Sequence, residues 1–251
     1  MKSLLLPILI LFLLSGCCHP KGLTQLSEDK GYVRNDLKST LGSDSSTKEN
    51  KQFIKLKIQL EHKIKDGELE IKSILKEDNY YFVGVQKWSG GEGEMEDIPQ
   101  AYLLVCDKEL NVIQEINLEA DYFVELILDD IDGDIDRDAI VLCGCGANSI
   151  PIKVFMNKLN TDRKLELIFD AFFSYYSNFY HTRDLPPTIE GCVYPSEKWW
   201  KAIEEGKIGL SRPLLIFTWD GKKFAFNKEK SIGFEEDFEE GYRIEKENLR
   251  D

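Results

Sequence analysis

Short apolar runs recur through most of this chain, and the run at residues 54–60 alternates strictly with polar residues. A period of two places successive side chains on opposite faces, which is typical of a half-buried β-strand. The runs cover residues 54–60, 68–75, 80–88, 101–106, 112–118, 122–128, 139–142, 152–156, 164–173 and 214–219. Asp220-Gly221 then indicates a two-residue hairpin that joins 216–219 to 222–226. We therefore expect a mainly β domain built from antiparallel sheets.

The N-terminus carries a separate signal. Lys2 precedes an apolar run over residues 4–14, which is too short to cross a hydrocarbon core of ~30 Å but suits the apolar part of a signal peptide. The run ends in Leu14-Ser15-Gly16-Cys17. This tetrapeptide resembles the lipobox of bacterial lipoproteins.

The lipobox resemblance implies processing and an address. It implies cleavage before Cys17, a diacylglycerol on the Cys17 sulfur and a further acyl chain, such as palmitate, on the new amine. The protein would then be an extracytoplasmic lipoprotein held on the membrane of the bacterial cell envelope by its lipid anchor, on the outer membrane if the host has one. The alternative is an ordinary secretory signal with a chance cysteine.

The composition divides the chain into four parts. Residues 1–16 form the expected lipoprotein signal peptide, and residues 17–50 are rich in Ser, Thr, Lys, Asp, Glu and Gly, as in a flexible tether. The β-rich domain follows over residues 51–230, with one short helix at 196–205 and Ser196 as its N-cap. Residues 231–251 form a charged tail that we expect to fray.

The charge balance restricts the possible partners. The 251 residues contain 45 acidic and 32 basic side chains, which gives a formal net charge of −13. Nucleic-acid binding depends on clustered Lys and Arg, so we expect no nucleic-acid partner. The negative charge favours a soluble surface or carboxylates gathered around a cation.

One acidic run stands out against this background. Residues 121–138 contain eight acidic side chains and one basic side chain, and five of the aspartates alternate with other residues immediately before the apolar run at 139–142. Calcium takes six to eight hard oxygen ligands, which alternate aspartates in a tight loop supply. An EF-hand does not fit, because its sixth position requires Gly and Ile135 or Arg137 stands there in the two possible registers.

The run resembles the calcium loop of FG-GAP/VCBS repeats, with the pattern D-x-[DN]-G-D-G-x-x-D before an apolar strand. The resemblance implies calcium as the cofactor, held by the side chains of Asp130, Asp132, Asp134 and Asp138 and by the carbonyl of Asp136. Gly133 matches the pattern, but Ile135 replaces the second Gly, and a β-branched residue at positive φ is costly. We therefore expect weak affinity. The alternative is an exposed acidic turn without a metal.

The same family occurs in β-propellers, which suggests an architecture. A blade takes about 40 to 45 residues, so the domain holds four degenerate blades at most. A β-sandwich that does not close into a ring is the alternative.

The remaining cysteines suggest one disulfide. Cys143 and Cys145 lie two residues apart and share a face if the strand continues through them. In an oxidising compartment we expect Cys192 to pair with one of the two, with reduced core thiols as the alternative.

The function expected from these features is binding. The chain has no G-x-S-x-G, H-E-x-x-H or phosphate-binding glycine loop, so we do not expect an enzyme. We expect a calcium-stabilised binding or adhesion-type module with a protein or carbohydrate partner. The alternative is a secreted hydrolase whose active site cannot be recognised from the sequence.

Overall fold

The computed structural model describes residue 54 and residues 56–60, 69–88, 99–146 and 148–248. These residues form three four-stranded sheets, all of them antiparallel, so the mainly β fold expected from the sequence is confirmed. The expected signal peptide, Cys17 and the tether lie outside the described residues. None of the helices in the described part of the chain has the length and apolar character needed to cross a bilayer.

Each sheet is a meander in which strands adjacent in the chain are adjacent in the sheet. The first sheet contains β1 (Leu69–Glu77), β2 (Tyr80–Lys87), β3 (Gln100–Cys106) and β4 (Val112–Asn117). The second contains β5 (Tyr122–Asp129), β6 (Asp138–Gly144), β7 (Ser149–Lys158) and β8 (Lys164–Ser174). The third contains β9 (Ser177–Thr182), β10 (Leu185–Cys192), β11 (Leu214–Trp219) and β12 (Phe224–Phe226).

The second sheet lies between the other two, and its central strands, β6 and β7, are buried on both faces. In β6, Val141 and Cys143 pack in a core with the first sheet, whereas Ile140 and Leu142 pack in a core with the third. This double burial explains why β6 is a continuous apolar run rather than an alternating one.

Glycines allow the sheets to approach each other closely. A Cβ atom on Gly84 of β2 would lie 2.0 Å from the ring of Phe123, which belongs to the second sheet. Similarly, a Cβ atom on Gly191 of β10 would lie 2.1 Å from the ring of Phe173. Each interface with the second sheet therefore has an aromatic ring seated on a glycine backbone.

The prediction of a strand at residues 54–60 is wrong. Residue 54 and residues 56–60 are helical, and Leu60 is fully buried with Leu56 beside it against the outer face of the first sheet. Ile54 and Ile58 are about half exposed. Apolar residues at every second position include pairs that are four residues apart, which share one face of a helix. Here Leu56 and Leu60 form such a pair, and they are the residues that pack against the sheet.

Two further helices are described, so the expectation of one short helix is incomplete. Helix α1 (Glu197–Glu204) has Ser196 as its N-cap, as predicted. Helix α2 (Glu235–Glu247) occupies the region expected to be a fraying tail and buries Phe238 and Ile244 in the core of the third sheet. The helix also buries Asp237 and Gly241, and these four buried positions are spaced by three, four and seven residues, which places them on one stripe of the helix.

Strands β9 and β10 were missed by the sequence analysis. The start of β10 contains Pro186 and Pro187, and its pairing with β9 shifts register between Leu185 and Thr188. Proline is confined to edges and irregularities of sheets, so the pair reads as a loop signal in the sequence.

Candidate metal centre

The acidic run forms the connection between β5 and β6. The two strands pair antiparallel up to Asp129 and Asp138, so the loop between them begins and ends at a closed ladder. Both strands contribute apolar side chains to cores on either side of the second sheet. The ends of the loop are therefore held by packing.

Three carboxylates converge in the loop. Asp130, Asp132 and Asp134 each place an oxygen so that the three atoms lie within 4.8 Å of one another. Alternate residues point in the same direction here because the chain between them is tightly wound. These are three of the four side chains that the sequence predicted as calcium ligands.

Backbone N–H groups hold the carboxylates in place. Asp130 accepts from the N–H of Gly133 at 2.8 Å and from that of Ile135 at 3.3 Å. Asp132 accepts from the N–H of Asp134 at 3.1 Å, and Asp134 accepts from the N–H of Asp136 at 3.0 Å. Asp132 and Asp134 therefore form Asx-type turns with the N–H two residues on, whereas Asp130 reaches across the loop to N–H groups three and five residues on.

Two loop residues have left-handed backbone. Gly133 has φ 84°, which glycine adopts at no steric cost, and Ile135 has φ 83°. Ile135 is 84% exposed, so burial of its side chain does not offset the strain. The strain that the sequence predicted for Ile at this position is therefore present.

Asp138 lies apart from the three converging carboxylates. It is 1% exposed, and its two oxygens accept from the N–H groups of Ile131 at 3.0 Å and Asn157 at 2.8 Å. The side chain thereby joins the start of the loop to β7. In this arrangement Asp138 fastens the base of the loop, a role that the sequence did not show.

Asp136 also has a role that the sequence did not show. Its carboxylate accepts from Nδ2 of Asn160 at 3.0 and 3.2 Å, so it binds the turn after β7. The next residue, Arg137, forms an ion pair with Glu77 and donates to the carbonyl of Lys76 at 3.2 Å. The loop is therefore attached to both the first and the second sheet.

The electrostatics of the loop favour a positive partner. Loss of solvation and the charge of Asp132 raise the pKa of Asp134 above its ordinary value. Burial, together with the charges of Asp132 and Asp134, raises the pKa of Asp138 to about 7, against the opposing effect of the N–H groups of Asn157 and Ile131. Carboxylates that repel one another hold protons more tightly, and a cation relieves this repulsion.

The expected disulfide is not formed. Cys143, Cys145 and Cys192 are all free thiols. Cys143 lies in the core shared by the first and second sheets, with Cys145 packed against it, whereas Cys192 belongs to the third sheet. A disulfide from Cys192 to Cys143 or Cys145 would have to pass through the second sheet. The face on which Cys143 lies therefore explains why no bridge forms.

The aromatic stretch at residues 172–180 divides between core and surface. Phe173 is buried against Phe217 of the third sheet. Tyr176 and Tyr180 both donate to Oε1 of Glu190, and Phe172 and Tyr175 are almost half exposed.

Sequence reasoning missed Asn157, Asn160 and Glu77 as partners of the loop. Each is at least 19 residues from the side chain or carbonyl that it contacts. No local pattern marks such partners, because the sheet pairing brings them together. Comparison of the chain with protein-family models, curated proteins and solved structures gives no match.

Proposed function

We propose that this protein is a lipid-anchored module of the bacterial cell envelope whose β domain binds a partner and is stabilised by calcium. The convergence of Asp130, Asp132 and Asp134 within 4.8 Å carries the calcium part of this proposal. The anchor rests on the sequence around Cys17.

Calcium suits the oxygen atoms of the loop. Three carboxylates supply hard ligands, the carbonyl of Asp136 adds one more in the proposed set, and water completes the six to eight that calcium takes. Asp138 remains in the proposed set as a side chain at the edge of the loop, since each of its oxygens keeps a second lone pair after accepting one N–H group.

The ion would act as a structural element. The loop is already attached to β7 through Asn157 and to the first sheet through Arg137. Calcium would neutralise the repulsion that remains within it, so that the connection between β5 and β6 becomes rigid. Such a stabilised domain presents its other loops and faces to a protein or carbohydrate partner.

The sheets support a blade-like interpretation of the domain. Three successive four-stranded antiparallel meanders stack face to face. We propose that they are degenerate propeller blades arranged as an open stack. A sandwich-like arrangement of the same sheets is the alternative.

A secreted hydrolase remains the alternative function. Among the described residues, His181 and Asp129 form a histidine–carboxylate pair, with Nδ1 of His181 3.0 Å from Oδ2 of Asp129. This pair adjoins the acidic loop, and a hydrolase would need a nucleophile beside it. Loss of a hydrolytic activity in His181→Ala, with calcium binding retained, would favour this alternative.

Calorimetric titration of the purified protein with calcium tests the binding proposal. We expect one ion per chain with an affinity in the ~10⁻⁴–10⁻³ M range of extracellular modules, and weaker binding of magnesium, which demands octahedral geometry and keeps its waters. Asp132→Ala should abolish the heat of binding. Asp162→Ala, which removes an exposed aspartate outside the loop, is the control and should leave it unchanged.

Mass spectrometry of the mature protein tests the anchor separately. We expect an N-terminal Cys17 that carries acyl chains, partition of the protein into detergent, and an unprocessed precursor for Cys17→Ser. An unmodified N-terminus at another residue would contradict the anchor while leaving the calcium proposal intact.

A further inference from the structure

An arginine and two tyrosines meet at one end of the third sheet. Arg212 precedes β11, Tyr175 lies in the turn between β8 and β9, and Tyr194 follows β10. The Cζ atom of Arg212 lies 3.6 Å from the centroid of the Tyr175 ring and 5.8 Å from that of Tyr194. The guanidinium is therefore placed by stacking on aromatic rings.

This guanidinium lacks an acceptor. Nη1 of Arg212 is buried and has no hydrogen-bond partner among the described residues. By contrast, Arg137 forms an ion pair with Glu77, and Arg243 forms ion pairs with Glu240 and Glu247. A charged donor removed from water without an acceptor is costly, so a donor of this kind calls for an explanation.

The backbone holds Tyr175 in an uncommon conformation beside this arginine. Its φ of 68° lies in the left-handed region, and its N–H donates to the carbonyl of Asn148 at 2.6 Å. Strained residues of this kind persist only where their surroundings impose them, and they concentrate at functional sites. The stack thus has one ring in a fixed position, while Tyr194 is 67% exposed and accessible to a ligand.

Among the described residues, no carboxylate forms an ion pair with Arg212. An acidic group in its surroundings is Glu190, whose Oε1 accepts from the hydroxyls of Tyr176 and Tyr180. Burial, together with the charge of Glu190, raises the pKa of the Cys192 thiol to about 11, against the opposing effect of Arg212. The thiol is therefore neutral at physiological pH and supplies no counter-ion.

We propose that Arg212, Tyr175 and Tyr194 form a binding site for an organic carboxylate. The planar fork of a guanidinium matches the two oxygens of a carboxylate, and a ligand that enters beside the exposed Tyr194 ring would supply the acceptor that Nη1 lacks. The two rings flank the organic part of the ligand. The carboxylate belongs either to a small free acid or to the C-terminus of a peptide, since both present the same group.

This inference names a ligand class for the proposed binding module and rests on that function, but it uses none of the calcium-loop residues. The protein carries a net charge of −13, which repels anions at long range. Binding therefore depends on short-range hydrogen bonds, and we expect millimolar affinity for a single small carboxylate.

Nuclear magnetic resonance of the arginine side chains provides the test. The full-length protein, labelled with ¹⁵N and kept in detergent, is titrated with sodium acetate against sodium chloride of equal ionic strength. We expect the Nε–Hε signal of Arg212 to shift and saturate with acetate alone. The signal of Arg183, an exposed arginine in the turn between β9 and β10, serves as the internal control and should remain in place.

Two variants and two peptides sharpen this result. Arg212→Lys keeps the charge but loses the fork, and should weaken acetate binding at least about tenfold, which corresponds to one charge-assisted hydrogen bond. Because this variant lacks the Arg212 signal, its binding is read from the backbone amide signal of Tyr194, in the wild type and the variant alike. Tyr194→Ala removes an exposed ring but keeps Arg212, and it should also weaken acetate binding. A short peptide with a free C-terminus that binds more tightly than acetate, while its amidated form does not bind, would identify a peptide as the source of the carboxylate.

Other outcomes would overturn the inference. An Arg212 signal that responds equally to acetate and chloride, or that moves together with Arg183, would show a general salt effect. Absence of acetate binding in a sample that still binds calcium would reject this site and leave the calcium proposal standing. Loss of calcium binding with acetate binding retained would reject the calcium proposal alone.

Discussion

Replacement of Asp138 by Asn separates the two roles that aspartates have in the loop between β5 and β6. Asp138 is 1% exposed, and its two oxygens accept from the N–H groups of Ile131 and Asn157. An amide of the same shape offers only one oxygen, so one buried N–H loses its acceptor and faces an NH₂ group instead. The variant should therefore be destabilised without any involvement of a metal.

The magnitude follows from the number of donors left unpaired. One unsatisfied buried N–H costs about 1–3 kcal/mol. For a domain of this size, each kcal/mol lowers the melting temperature by about 2–4 °C, so the variant should melt about 2–12 °C below the wild type. The measurement is a thermal melt in excess chelator, which removes calcium from the comparison.

Asp132→Asn is the matched control for this melt. Asp132 is exposed and accepts one N–H group, from Asp134, which an Asn oxygen accepts equally well. Its melting temperature in chelator should stay close to that of the wild type. Equal melting temperatures for Asp138→Asn and Asp132→Asn would refute the assignment of Asp138 to the base of the loop.

Three further predictions concern strain, the edge of the second sheet and the thiols. Ile135→Gly should raise the free energy of unfolding in chelator by about 1 kcal/mol, because a glycine adopts φ 83° without strain and the exposed Ile side chain contributes no burial. Ile135→Ala keeps the backbone strain and should not stabilise the protein. Asn248 accepts from the N–H of Asp170 at 2.6 Å and donates to the carbonyl of Asp170 at 2.9 Å. Asn248→Asp loses the donor, so the free energy of unfolding measured in urea should fall by about 1–2 kcal/mol. An unchanged midpoint of the urea transition would contradict this. Cys143, Cys145 and Cys192 should each react with a thiol reagent in denaturant without reductant, and failure of Cys192 to react together with Cys143 or Cys145 would restore the disulfide.

Short apolar runs bounded by turn residues were a sound guide to most of the strands. They located β2, β3, β7, β8 and β11 to within a few residues. They failed at residues 54–60, because apolar residues at every second position satisfy a helix as well as a strand when only Leu56 and Leu60 are buried. They also failed for β10, where Pro186 and Pro187 resemble a loop.

The candidate metal centre could be located from sequence because its three converging carboxylates are local. Asp130, Asp132 and Asp134 lie within five residues, and the N–H groups that they accept from belong to the same loop. The role of Asp138 could not be seen, since its partner Asn157 arrives through the pairing of β6 with β7. The disulfide prediction was wrong for a related reason, because the face of Cys143 depends on which sheet packs there.

A thermal melt in calcium and in chelator tests the central proposal most directly. If 10 mM calcium binds the folded state with the affinity of extracellular modules, it should stabilise the protein by about 1.4–2.7 kcal/mol, which corresponds to about 3–11 °C. Asp134→Ala should lose this increment, and magnesium at the same concentration should give less. Equal melting temperatures of the wild type in calcium and in chelator would contradict the calcium site and leave an acidic turn between β5 and β6.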